Sequence, residues 1–199
     1  MAKKLTELTK DELWRLFPIA LTRHQACWEA WYREEKAALV TAFLGLPVTR
    51  ISHIGSTAVK TIWAKPIVDI LAEVSPGCDR VKLKERLQAS GYLCMSESER
   101  RISFNKGYTE HGFAEKVYHL HIRNLGDNDE LYFRDYLVEN PEIARQYERL
   151  KLTLWKQYEH DRDGYTGAKA DFVQRYTKKA KERYAGRYGL EAEPGIRSS

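Results

Sequence analysis

A chain of 199 residues, 43% of them hydrophobic, can bury one sizeable core, which argues for one compact unit or one with a helical appendage. Lysine and arginine total 33 against 28 acids; the net charge of +5 suits an anionic ligand, but it is dispersed and implies no nucleic-acid partner. Three cysteines, Cys27, Cys78 and Cys94, are an odd number at unpatterned spacings, which fits reduced thiols rather than a disulfide framework or a zinc motif.

The N-terminus, Met1-Ala-Lys-Lys-Leu-Thr-Glu, lacks the apolar core of a signal peptide, and no apolar run approaches membrane-spanning length, so a soluble cytoplasmic protein without a membrane partner is expected. Thr9 and Glu12 have the spacing of a capping box, predicting a short helix that ends by Pro18, within an N-terminal extension over 1–22. Over 23–44 the apolar residues Cys27, Trp28, Trp31, Leu39 and Phe43 recur at helical spacing, and Gly45 and Pro47 end that helix. An apolar strand over 48–54 runs into Gly55-Ser56, and 57–63 reads as a short helix or helical turn leading to Lys65-Pro66. The near-continuous apolar run 67–74 predicts a central strand buried on both faces. Asp79 is a plausible N-cap for a helix ending near Gly91. Three strands follow, over 92–95, 100–105 and 113–122, as an antiparallel extension of the sheet with its second turn at 107–112. Helices over 131–138, 141–158 and 167–184 complete a domain over 23–185, and the tail 186–199 is expected to be disordered.

Chemistry concentrates around the first turn. Gly55 removes a side chain where backbone must come close to something, Ser56 supplies a hydroxyl, and N–H groups at the start of a following helix could hold a phosphate. Asp69 is an acid within an apolar strand, costly unless paired or metal-bound. Either Lys65 or Arg101 is a possible ion-pair partner for it in a purely structural role. His119 and His121 stand two apart on a predicted strand and so point to one face; with Asp69 they could make a two-histidine, one-carboxylate metal site, or they line a pocket as neutral hydrogen-bonding groups, or one acts as a general base.

The block His53-Ile54-Gly55-Ser56-Thr57-Ala58-Val59, then Ala64-Lys65-Pro66-Ile67 and Asp69-Ile70-Leu71, resembles the GrpB family, whose members look like a compact branch of the nucleotidyltransferase fold. Further matches run through Gly91-Tyr92, Arg101, Phe104, Lys106, His119-Leu120-His121-Ile122, Phe133-Arg134-Asp135-Tyr136-Leu137, Tyr147, Lys151, Tyr165 and Lys169. The family usually has Pro-Gly after the valine; this chain has Lys60-Thr61, which adds a positive charge beside the turn. The resemblance implies an α/β (α+β) fold, a nucleotidyltransferase-like mixed β-sheet flanked by helices with a helical C-terminal part. It also implies a nucleotide or other phosphorylated small molecule as ligand, held at His53, Gly55, Ser56, Thr57, Lys65, Arg101 and Lys106, and a divalent metal (Mg, Mn or Zn) at Asp69, His119 and His121, which would also be the catalytic residues.

By the nucleotidyltransferase template two carboxylates two residues apart on one strand share metal, but the position after Asp69 in that pattern is Leu71. Glu73 is on the same face at roughly 13 Å along an extended strand, too far to share one small ion. The incomplete acid set leaves a non-catalytic anion-binding module as the alternative to a transferase. Lys151 and Lys169 read as solvated helix lysines, Tyr165 as packing, and Arg134-Asp135 as an internal ion pair. Oligomeric state is left open.

Overall fold

The computed structural model describes residues 5–189; of the expected disordered tail, 190–199 lie outside the described residues. Five strands form one sheet in the order β1-β2-β5-β4-β3, with β1 Val48–Ile54, β2 Val68–Val74, β3 Leu93–Glu97, β4 Arg101–Thr109 and β5 Gly112–Asn124. Pairing is antiparallel for β1 with β2, β4 with β5 and β3 with β4, and parallel for β2 with β5, so the sheet is mixed. Two helices lie on one face: α2, Cys27–Ala42, and α3, Arg80–Ala89. Trp28, Leu39, Leu83 and Leu87 from these helices pack against Ile70, Ala72, Ile102, Phe104, Leu120 and Ile122 from the strands in the largest apolar cluster. The opposite face meets α4, Asp129–Glu139, whose Leu131 packs on Ile54 and Leu71. The C-terminal part is helical: α5, Pro141–Gln157, α6, Arg162–Gly167, and α7, Ala170–Arg183. No helix among the described residues is long and apolar enough to cross a membrane.

Local signals account for most element ends. Thr9 and Glu12 form the reciprocal capping box that starts α1, Lys10–Leu16. The Asp79 side chain accepts from Lys82 N–H at 3.0 Å and starts α3, and Pro141 sits at the first turn of α5.

Three expectations need correction. Helix α2 starts at Cys27 rather than near residue 23, because Thr22 is bridged to Ala64 by two backbone hydrogen bonds of 2.9 Å and the approach is therefore extended. This segment buries Phe17, Ile19 and Leu21, so the N-terminal piece is packed onto the domain. The helical turn expected over 57–63 shrinks to one 3-10 turn, Ser56–Ala58. Strands β4 and β5 run on to Thr109 and Gly112, leaving a two-residue turn where a longer one was expected. Gly107 lies inside β4 at a register shift, with φ +88°, where a Cβ would come within 2.3 Å of the Lys116 carbonyl oxygen.

Candidate functional site

Strand β1 delivers the chain to Gly55, whose φ of 70° and ψ of −170° suit glycine alone. The reason is close approach as well as torsion: a Cβ on Gly55 would lie 2.3 Å from Oδ2 of Asp69. Asp69 therefore sits directly against the backbone of the turn. The turn itself is braced from behind. His53 is on the α2 face of the sheet, stacked on Tyr32 with ring centroids 4.8 Å apart, and its Nε2 is 2.9 Å from the Thr57 hydroxyl. Burial pushes the His53 imidazole down to about 4, so it stays neutral and acts as a strut rather than a charge. Ala58 N–H and Val59 N–H are already bonded to the carbonyls of Gly55 and Ser56, so the turn offers no long helix N-terminus of the kind expected for a phosphate.

The pairing of β2 with β5 places Asp69 opposite His119 and Leu71 opposite His121, all on one face. Nδ1 of His119 is 3.1 Å from Oδ1 of Asp69, and Nε2 of His121 is 3.7 Å from the same oxygen. A carboxylate only accepts, so His119 carries its proton on Nδ1; Nε2 is then free to accept from the Tyr108 hydroxyl at 2.8 Å. The Tyr108 side chain also meets Arg162, whose guanidinium lies 5.6 Å from the ring centroid. At His121 the Arg123 guanidinium, a donor only, faces Nδ1 at 3.4 Å. Burial pushes the Asp69 carboxyl up, but the hydrogen bond from His119 and the proximity of His121 outweigh it and hold the group below its usual range. Burial pushes the His119 imidazole down by more than Asp69 raises it. The result is an anionic carboxylate fixed between imidazoles, with 28% of its side-chain surface still open.

That opening leads into a cleft of about 1050 Å³ between the sheet and the C-terminal helices, bordered by Gly55, Ser56, Asp69, Arg101, His121, Tyr147 and Lys169. Of the basic residues expected here, Lys65 sits 5.4 Å from the Tyr165 ring centroid. Arg101 reaches the rim but is held by Asp127 in a two-pronged pair of 2.9 and 2.7 Å, so it pairs with neither Asp69 nor an open site. Lys106 belongs elsewhere. Strand alternation puts it with Ile102 and Phe104 on the α2 face, where it pairs with Glu35 at 2.7 Å, so its expected ligand role is corrected to a structural one.

Two residues read as solvated lysines are the main omissions. Lys151 is 2% exposed and donates to the Ser56 hydroxyl at 3.0 Å and to the Trp63 carbonyl. Lys169 borders the cleft with its ammonium 4.1 Å from the Tyr165 ring centroid. Spacing on α5 could have exposed the first: Ala144, Tyr147, Lys151 and Leu154 share the buried stripe. Arg134 and Asp135 do pair, at 2.7 Å, and Arg134 also donates to the His53 carbonyl at 2.8 Å, anchoring α4 to the end of β1.

The donor set can be tested against a metal. One carboxylate oxygen and two imidazole nitrogens lie within 4.8 Å of one another. Donors on a shared ion at about 2.1 Å stand roughly 3–3.5 Å apart, close to the 3.1 and 3.7 Å measured from Asp69. Two nitrogens and one oxygen suit a single transition cation, whereas a magnesium pair wants more carboxylates, and Leu71 is fully buried where the second would stand.

The GrpB family model, described as GrpB protein, matches residues 18–179. This chain belongs to the GrpB family. Among curated relatives it is 38% identical over 151 residues to a UPF0157 protein of Pseudomonas aeruginosa, covering 74% of this chain and 62% of that one. It is 37% identical over 161 residues to the glutamate-rich protein GrpB of Alkalihalophilus pseudofirmus, covering 78% and 91%. The chain thus spans less than two thirds of the Pseudomonas relative. Among solved structures, this GrpB-family chain is similar to the conserved protein GrpB from Enterococcus faecalis, with a TM-score of 0.71 and 30% identity over 83% of this chain and 99% of that one. A fainter likeness to the Cid1 poly(U) polymerase, with a TM-score of 0.43 and 14% identity over 75% of this chain and 46% of that one, carries no weight for activity.

Proposed function

We propose that the cleft binds a nucleotide or another phosphorylated small molecule and serves metal-dependent nucleotidyl transfer of the nucleotidyltransferase-like kind. The observation that supports this is the Asp69 carboxylate held between His119 and His121 against the Gly55-Ser56 turn, at the wall of a cleft of about 1050 Å³. Asp69, His119 and His121 would hold one divalent cation, which when bound supplies Lewis-acid polarisation of a phosphoryl oxygen. Ser56 presents its hydroxyl to the ligand from a turn braced by His53 and Thr57. Lys65, near enough to Asp69 for the two charges to act on each other, would oppose developing negative charge. Tyr108 and Arg162 fix the His119 ring, so Asp69 keeps one orientation.

A non-catalytic anion-binding module is the second reading, and the buried Leu71 in place of a second acid favours it. A thermal-shift screen of metal-free protein against nucleoside mono-, di- and triphosphates, each with and without magnesium, manganese or zinc, separates the two. A nucleotide shift that needs metal and disappears in Asp69→Asn supports the transferase reading. A metal-independent shift, unchanged or enlarged in Asp69→Asn, supports the binding module. No shift with any nucleotide overturns the nucleotide assignment.

A further inference from the structure

We propose that Lys65, Lys151 and Lys169 together form the subsite that takes the ligand's phosphate group, beside the part of the cleft that Ser56 and Lys169 border and not at Arg101; this rests on the reading above that the ligand is phosphorylated. The three lysines come from separate segments: the approach to β2, the middle of α5 and the link between α6 and α7. Two of them share one ring, with Lys65 at 5.4 Å and Lys169 at 4.1 Å from the Tyr165 centroid. The third, Lys151, lies 5.0 Å from the Tyr147 centroid and is tied to Ser56, the hydroxyl of the Gly-Ser turn. Its two hydrogen bonds leave one of its three donors uncommitted.

Such a cluster is hard to explain as structure alone. Among the described residues none of the three has a carboxylate within ion-pair distance. Glu148, the acid that bears on Lys151, is bonded through Oε1 to Trp63 N–H at 2.7 Å. Asp69, the acid that bears on Lys65 and Lys169, is engaged by its histidines. Elsewhere in this molecule a half-buried lysine is paired, as Lys106 is with Glu35 at 2.7 Å. Here burial pushes Lys169 down to about 8, and burial with repulsion from neighbouring cations pushes Lys65 and Lys151 down to about 7. An anion entering the cluster would relieve both effects. Three ammoniums from three segments match the three terminal oxygens of a phosphate better than the two of a carboxylate. Arg101 lacks this vacancy because both prongs of its guanidinium are on Asp127.

The test is calorimetric titration of the metal-free chain at pH 6.5, where the lysines are charged, with inorganic pyrophosphate, with acetate as the carboxylate arm and a nucleoside triphosphate as the ligand arm. Pyrophosphate should bind and acetate should not; Lys65→Met and Lys169→Met should each weaken pyrophosphate at least about tenfold. Lys116→Met, which removes a surface charge paired with Glu34, should change nothing. Folding is checked by Tm, which should hold or rise by a few degrees in both cleft variants as repulsion is removed. Triphosphate binding that survives in both well-folded variants overturns the subsite and leaves the nucleotide reading intact. Pyrophosphate binding that depends on the lysines while nucleosides add nothing upholds the subsite and overturns the nucleotide reading. Failure of the native chain to bind pyrophosphate or any phosphorylated probe overturns both.

Discussion

Strand β2 carries two acids on the same face, Asp69 and Glu73, and the fold treats them in opposite ways. Glu73 is fully buried and saturated: Arg50 pairs with it at 2.5 Å, Gly126 N–H donates at 2.9 Å and the Asn128 amide at 3.0 Å. Asp69, which borders the cleft, has imidazoles rather than a guanidinium beside it and keeps part of its surface open. Around Glu73 the local charge is neutralised inside the protein. Around Asp69 the cations Lys65, Lys151 and Lys169 are gathered close by but left without carboxylates of their own. A buried acid that is closed by its own partners holds a fold together; one left with open surface and surplus cations nearby is arranged for something that arrives later.

That contrast can be broken most forcefully at its structural end. Glu73→Ala breaks the buried ion pair with Arg50 and removes the acceptor for Gly126 N–H and the Asn128 amide, and should cost about 3–5 kcal/mol of stability, read from urea unfolding. Gly55→Ala comes next, at roughly 1–3 kcal/mol, because the new Cβ meets Asp69 in a backbone conformation that disfavours it. It should also abolish metal-dependent nucleotide stabilisation, since Asp69 must move; a variant that keeps both stability and that shift would remove Asp69 from the turn. Asp69→Asn should cost about 1–2 kcal/mol in the unliganded protein, measured by the same unfolding experiment, because the amide still accepts from His119 but loses the negative charge that the imidazoles favour.

A change of pH tests the same contrast without a substitution. A lysine held at about 7 in the folded chain and at 10.5 in the unfolded one binds its proton more readily when unfolded, so stability rises with pH across that interval. Tm should therefore climb between pH 7 and 9 for the native chain, and climb less for Lys65→Met. In acid the sign is the same at Asp69: its depressed pKa contributes stability above the ordinary value of 3.8 that is lost as pH falls further. A flat profile between pH 7 and 9 would mean that the lysines are better solvated than their burial implies.

Much of this was readable in the chain. Alternation on β5 predicts that His119 and His121 face the same way, and the capping residues Thr9 and Asp79 mark their helices. The same alternation separates Arg101 from Lys106, five residues apart, although both were expected at the ligand. Lys151 was less accessible. Its place on the buried stripe of α5 is visible, but a lysine on a stripe usually sends its ammonium to water. Glu73 looked like a second, distant acid beside Asp69, and nothing in its neighbourhood along the chain marks it as a partner for Arg50.

The sequence by itself determined the elements, the Gly55-Ser56 turn and the identity of the residues that carry charge, since these follow from periodicity, glycine torsions and capping within a few residues. Only the tertiary structure decided which charges are neutralised. Whether an acid meets Arg50 or two imidazoles, and whether a lysine meets Glu35 or another lysine, depends on strand order and helix placement that join residues far apart in the chain. Electrostatic energy depends on those distances and on burial, and neither is written along the chain.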